Sequence, residues 1–558
     1  MRRSTTVFAA AAVLAAVLSV PAGAVVAPAA TAAPAGTAAC EALAVSDFGD
    51  PEATAGAGDA GTCHALTLTP GRYAVSVADD QFFTWAITDA ADATVCTGYI
   101  PNRGCVIPAA GDYTLRLTYN GWGGSSAYRV AVVDLGSAGG CAPSRAIGWD
   151  LPARTGVLTS PLQLDCLPFD ARTGDVVFSA AQPDTYLFDF YHWIVDATGA
   201  DACDPGYPGD GCRLAGAAPY RQIVTPRGWP AGDVPQVPYR TQAARLFDPA
   251  GCPVVTPGAY GGAPGGAVAG VRCRAITVPA AGDYRFRMVT ERNSGAYATV
   301  YDLAGNRVCG GEICTFPAAG TYVAVRDPLI TGVVIDVDVR YAATFLPKAP
   351  TSGCVTVADR GAYRDRLDAV GAWDCLRLTA PAGARIAAAW PDDAPTAALA
   401  EMQVVDAAGA WVCDTGQLVN ESCLLTGVAP FALLTSARSG TAGGDYGLTV
   451  TRVDPAAGCT TLPAGGSGVT VATGPDGYLA CLTVPAGHAD SEQITWTRVA
   501  GSGDARVRTF SPEGFRRCRT VSFATYTVTC TLPAGVNTLL LQADALPAEY
   551  TVSRRPVS

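Results

Sequence analysis

The chain has 558 residues, 49% of them hydrophobic and 16% charged, which is enough apolar material for folded cores and too much length for a single one. With 38 Lys plus Arg against 49 Asp plus Glu, the net charge of -11 argues against nonspecific binding to nucleic acid or to an anionic membrane, since both need clustered positive charge. Twenty cysteines beside three histidines leave few ligands for mixed Cys/His zinc sites and few general bases, so the composition leans away from catalysis.

Met1, Arg2 and Arg3 form a basic start, followed by the apolar run Val7 to Val20 and two small-residue sites, Ala22-Gly23-Ala24 and Ala30-Thr31-Ala32. This layout predicts a cleaved secretory signal peptide over residues 1–33. The apolar run is shorter than the roughly 20 residues a spanning helix needs, and no later stretch is longer, so no stable membrane insertion is expected. The expected product is secreted and extracellular, with the general or the twin-arginine export route left open by Arg2-Arg3.

After the leader, the cysteines fall in five sets of four. These are Cys40, Cys63, Cys96, Cys105; Cys141, Cys166, Cys203, Cys212; Cys252, Cys273, Cys309, Cys314; Cys354, Cys375, Cys413, Cys423; and Cys459, Cys481, Cys518, Cys530. The period is 101 to 111 residues, which predicts five disulfide-closed repeats over residues 40–138, 139–250, 251–350, 351–455 and 456–558. Four cysteines allow three pairings, and the local one, first with second and third with fourth, joins the nearest partners. A structural zinc site is disfavoured because no Cys-x-x-Cys occurs and no histidine adjoins a suitable pair; no metal or cofactor is expected.

Within each set the phrases recur in order. After the second cysteine comes period-two alternation ending in a Pro/Gly turn, as in Cys273-Arg-Ala-Ile-Thr-Val-Pro279-Ala-Ala-Gly282-Asp-Tyr284. Before the third cysteine, Asp196 with Gly199, Asp302 with Gly305 and Asp406 with Gly409 read as β-hairpin turns. The fourth cysteine repeats the turn phrase, as in Cys105-Val-Ile-Pro108-Ala-Ala-Gly111-Asp-Tyr113, and a last strand such as Tyr446–Val450 closes the set. No helical periodicity follows the signal peptide. The fold class expected is all-β, five tandem and independent β-sandwich or jelly-roll domains.

The run Ala372-Trp373-Asp374-Cys375, then Val405-Asp406-Ala-Ala-Gly409, then Gly444-Asp445-Tyr446-Gly-Leu-Thr-Val450 resembles the bacterial pre-peptidase C-terminal domain. That family is a β-sandwich appended to many secreted hydrolases. The resemblance covers about 100 residues per copy, clearest in the fourth and third and loosest in the second and fifth. It implies a sandwich fold. The chain departs from the family in carrying Cys375 and Cys166 where an aromatic is usual, in two bridges per repeat, and in lacking a catalytic domain, so the family's accessory role does not transfer directly.

No His-Glu-x-x-His or Gly-x-Ser-x-Gly occurs, and His64, His192 and His488 do not share a repeat position, so catalytic residues are not expected. Asp47, Asp50 and Glu52, and Asp392 with Asp393, read as solvated turns rather than paired catalytic carboxylates or a calcium site. The candidate ligand-binding residues are Trp122 and Trp229. Each lies nine residues after a tyrosine, Tyr113 or Tyr220, in a Gly/Pro loop where an indole can stack on a sugar or anchor a protein. Trp85, Trp193 and Trp411 are expected in cores. The function expected is a non-enzymatic binding or spacer protein with an extracellular polysaccharide or a secreted or surface protein as partner. The alternatives are an accessory of a separate secreted hydrolase, or an enzyme with an unrecognised site.

Overall fold

The computed structural model describes residues 40–49, 54–57, 62–78, 83–98, 104–119, 127–183, 189–203, 211–227, 236–290, 295–296, 298–326, 340–367, 369–390, 399–437, 444–454, 458–475 and 477–557. The expected signal peptide falls outside them. The regular structure of the described chain is nearly all β-strand and forms ten sheets, two for each set of four cysteines.

The fourth set shows the common topology. Its first sheet orders the strands Cys354–Val357, Trp373–Leu378, Ala432–Ala437, Leu399–Val405 and Trp411–Asp414. Its second orders Ala362–Arg366, Asp445–Arg452, Arg385–Ala389 and Cys423–Leu424. The chain thus shuttles between two sheets, and only the short first strand pairs in parallel, with Cys354 opposite Cys375. Alternation does the sorting. In Gly111–Tyr119 of the first set, Tyr113, Leu115 and Leu117 are buried while Asp112, Arg116 and Thr118 are exposed.

The turn phrases have a physical reason. In Pro-Ala-Ala-Gly-x-Tyr the tyrosine hydroxyl reaches back to a carbonyl four residues earlier: Tyr113 to Ala109 (2.8 Å), Tyr284 to Ala280 (3.1 Å) and Tyr322 to Ala318 (2.9 Å). In the fifth set the Asn537 amide donates to the Pro533 carbonyl instead (2.9 Å). The hairpin aspartates also act through their side chains. Asp302 Oδ1 accepts from the backbone of Ala304 and Asn306, and Asp406 Oδ1 from Ala408 and Ala410. Burial would raise the Asp302 carboxyl, but the Asn306 side-chain amide, which donates to Oδ2 (2.9 Å), and these backbone bonds favour the charged form and hold it below its ordinary value.

All twenty cysteines are paired, first with second and third with fourth in every set. The two bridges serve different places. Cys96–Cys105, Cys309–Cys314, Cys413–Cys423 and Cys518–Cys530 each join an end strand of the first sheet to the second sheet of the same set. The first bridges of the second to fourth sets, Cys141–Cys166, Cys252–Cys273 and Cys354–Cys375, sit in apolar clusters shared with the preceding set.

Those shared clusters correct the expectation of independent sandwiches. Each set has an internal core, but in the first four the outer face of the second sheet is covered by the first sheet of the next set. Ala74 and Val133 meet Cys166, Trp193 and Ile223; Phe178 and Ala244 meet Cys273, Tyr301 and Val323. Further along, Tyr260 and Leu346 meet Trp373, Val405 and Leu434, and Ala387 and Val453 meet Leu479, Phe510 and Leu540. The sheets therefore pile into one solenoid-like stack in which neighbouring sets share buried surface. The junctions are correspondingly tight: a Cβ on Gly353, which has φ +79°, would lie 2.0 Å from the Tyr260 carbonyl oxygen.

One short helix, Thr415–Asn420, departs from the helix-free expectation. Asp414 and Gln417 form a reciprocal capping box, which starts a helical turn locally even though no amphipathic period announces it. It lies between Cys413 and Cys423, inside the loop their bridge closes.

Candidate functional site

Trp122 and Trp229, the candidate ligand-binding residues, lie outside the described residues, as do Asp50, Glu52, Asp392 and Asp393. The other tryptophans divide. Trp85 is buried in the core of the first set, and Trp193 in the cluster between the first and second sets. Trp411 is 56% exposed, against the expectation that it packs in a core. The reason is a bulge in an edge strand: Val404 stands opposite Cys413 but Val405 opposite Trp411, so the alternation that would place Trp411 on the face of the buried Cys413 is broken at Val412, which packs against the core. Aligning the sets on the third cysteine carries that signal, because the same offset holds Thr94, Asp201, Arg307 and Arg516, all polar.

Among the described residues, clefts open into the interiors of the fourth and second sets. In the fourth set, about 190 Å3 is lined by Val357, Leu378, Pro381, Ile386 and Val450 with Asp359 and Arg452 at the polar side. Asp359 accepts from the Arg452 backbone (2.9 Å), and the Arg452 guanidinium donates to the Asp454 carbonyl (3.0 Å). Both charges are thus held by their surroundings, and the lining offers one carboxylate, no histidine and no cysteine. Such a cleft can hold an apolar group beside a polar rim but lacks an acid and base pair.

The second set differs from the rest in having its interior split into two small apolar clusters. Between them run polar groups. Tyr239 donates to Asp165, the Gln163 amide donates to Asp165 Oδ1 (2.8 Å), and Gln222 and Gln242 are buried. Burial, then the Asp165 charge, push the Tyr239 hydroxyl well above its ordinary value, so it remains a proton donor. A small cleft of about 50 Å3 beside this layer is lined by Arg145, Arg154, Leu167, Phe169, Gln222 and Gln242. Arg154 is tied to the Pro168 and Pro143 carbonyls at 3.1 and 2.8 Å, which makes it a buttress of the loop.

The histidines are dispersed: His64 inside the first set, His192 on the strand Asp189–Val195 of the second, and His488 exposed against Asp490 in the fifth. Among the described residues no cluster of His, Cys, Asp and Glu could hold a metal ion. His64 Nε2 lies 2.8 Å from the Tyr128 hydroxyl across the sandwich, and its Nδ1 meets no hydrogen-bond partner among the described residues. Burial lowers the imidazole below its ordinary value, opposed by Glu41. Because the folded state binds this proton less readily than the unfolded chain, His64 supports stability fully above about pH 6.5 and the support is lost as pH falls below it. His64→Gln is expected to flatten the acid limb of a Tm-against-pH profile relative to the parent. An unchanged acid limb would show that His64 takes up its proton without cost.

No family model matches the chain, and no curated protein matches it. Among solved structures, the chain is similar to the CUB1-EGF-CUB2 domain of human MASP-1/3 at 8% identity, over 35% of this chain and 99% of that one, with a TM-score of 0.11. It is similar to a Bacteroides ovatus mixed-linkage glucan utilization locus protein, SGBP-B in complex with a mixed-linkage heptasaccharide, at 10% identity over 95% and 99% of the two chains, with a TM-score of 0.10. The cycloalternan-forming enzyme from Listeria monocytogenes is similar at 12% identity over 51% of this chain and 29% of its own, with a TM-score of 0.12. At these scores the likenesses carry no argument about function.

Proposed function

We propose that the chain is a secreted, non-enzymatic binding or spacer protein that acts outside the cell, built from five tandem copies of a sandwich resembling the pre-peptidase C-terminal domain. The observation that carries this reading is the bridged stack itself. Ten disulfides suit an oxidising compartment, and serial cores between successive sheets yield an extended body whose loops and edges are free to present a ligand surface. No helix among the described residues is long and apolar enough to cross a membrane. The ligand is a carbohydrate or a protein, held by aromatic residues, of which Trp122 and Trp229 are the first candidates and Trp411 the third.

The test uses the mature protein in co-sedimentation with cell envelopes and insoluble polysaccharides, and in pull-downs from culture supernatant. Trp122→Ala, Trp229→Ala and Trp411→Ala are each made separately. Loss of an anchoring indole is expected to weaken capture by roughly 1 to 3 kcal/mol while leaving Tm nearly unchanged. Turnover of a polysaccharide or peptide by the purified protein alone would overturn the non-enzymatic reading.

A further inference from the structure

One position in each set decides what fills the sandwich beside the turn that follows the second cysteine. It is the residue paired with the fourth cysteine across the second sheet: Tyr73, Val177, Tyr284, Ile386 and Glu492. In the first and third sets a tyrosine ring takes this space, and its hydroxyl donates to a turn carbonyl, Tyr73 to Thr69 (3.0 Å) and Tyr284 to Ala280 (3.1 Å). In the second, Val177 shares a cluster with the rings of Phe169 and Tyr220. In the fifth, Glu492 is buried there and paired with Arg554 (3.2 Å). The fourth set has Ile386, and there the cleft of about 190 Å3 opens.

The third set shows what the fourth lacks. It packs Tyr284 with Val278, the residue before the turn proline, and with Phe345, whose ring centroid lies 5.1 Å from that of Tyr284. By the same strand pairing and the same distance from the second cysteine, the fourth set carries Ala380 for Val278, Ile386 for Tyr284 and Val450 for Phe345. All three smaller side chains line the cleft. The frame around them is unchanged, since Val357 stands opposite Leu378 as Val255 stands opposite Ile276. An unfilled apolar space weakens a core because its lining atoms lose contacts, so filling it from outside is favourable.

We infer that this cleft binds a single phenolic ring. The inference goes beyond the tryptophan-held surface proposed above and uses none of its residues. An apolar cavity of about 150 Å3 takes one benzene molecule, so about 190 Å3 admits a ring with a small substituent. Val357, Leu378, Pro381, Ile386 and Val450 supply the apolar walls. At the rim, Asp359 Oδ1 accepts from the Arg452 backbone (2.9 Å), which leaves Oδ2 to accept from the hydroxyl of the ring. That acceptor favours a phenol over a plain hydrocarbon ring. A free small phenol and a tyrosine side chain of a partner protein share this chemistry.

The experiment titrates the full mature chain with p-cresol, toluene and N-acetyl-tyrosinamide by calorimetry. Ile386→Tyr and Ala380→Val restore the filling seen in the third set, and Thr118→Ala at an exposed position of the first set is the control. The parent and the control are expected to bind p-cresol alike and more tightly than toluene. Ile386→Tyr is expected to bind it at least about tenfold less tightly, with a Tm that holds or rises. Binding of N-acetyl-tyrosinamide as well would support the inference with a partner's tyrosine as the source, and binding of p-cresol without it would support a free phenol. Failure of the parent to bind p-cresol, or equal affinity for toluene, would overturn the inference. So would parental affinity in Ile386→Tyr or, if that variant melts early, in Ala380→Val. The binding role proposed above would stand in each case, because the pull-downs test it separately.

Discussion

Replacing Trp373 by alanine is expected to cost about 3 to 5 kcal/mol of folding stability and to split one cooperative unfolding transition into two. Trp373 is 3% exposed and stands where the third and fourth sets meet, among Tyr260, Leu346, Val405 and Leu434. The Arg285 guanidinium lies 4.8 Å from its ring, itself buried and paired with Glu312, so truncation removes both packing and the face on which that cation rests. Because the cluster is shared between sets, the loss weakens their coupling more than it weakens either internal core. Calorimetry of the oxidised protein reads both effects. Trp411→Ala, at an exposed edge position, is expected to stay within about 0.5 kcal/mol of the parent. A Trp373→Ala protein that unfolds in a single unshifted transition would contradict the shared core.

Gly409→Ala is expected to destabilise by roughly 2 to 5 kcal/mol, the sum of a left-handed backbone forced on alanine and an overpacked contact. The hairpin glycine has φ +73°, and a Cβ there would lie 2.2 Å from the carbonyl oxygen of Lys348 in the preceding set. The equivalent residues meet the preceding set in the same way: a Cβ on Gly199 would come 2.7 Å from Leu135, on Gly305 2.6 Å from Val176, and on Gly514 2.7 Å from Arg385. The first set supplies the control. Its hairpin carries Asp92 at φ 61°, with a side chain 72% exposed, and among the described residues no earlier set stands against it. Asp92→Ala is accordingly expected to change stability by less than about 1 kcal/mol, since its pair with Arg116 is exposed. Thermal melts of both variants test the contrast, and equal losses at the two positions would show that backbone conformation alone, without the neighbouring set, accounts for the glycine.

The hairpin phrase shows how far the chain is legible by itself. Asp followed three residues later by Gly predicts a turn with positive φ, which is a local matter of one carboxylate and a few backbone N–H groups, and the structure has that turn at Asp196, Asp302 and Asp406. Why the first set tolerates Asp92 was not legible, because the deciding contact in the other sets is with a residue 61 to 129 positions away in the preceding set.

The amino-acid sequence by itself determined the all-β class, the fivefold period, the turns and the local disulfide pairing, because strand alternation, turn chemistry and short loop closure all act over a few to about 25 residues. Tertiary structure alone decided what covers each sheet. A strand such as Ala432–Ala437 is buried at every position, so alternation says only that both of its faces are covered, and the sheet-to-sheet contacts assign one face to its own set and the other to Tyr260 and Leu346 of the set before. The same contacts turned Trp193 from its own core to a shared one. Burial is a property of what lies opposite a face, and that depends on residues about 100 positions away.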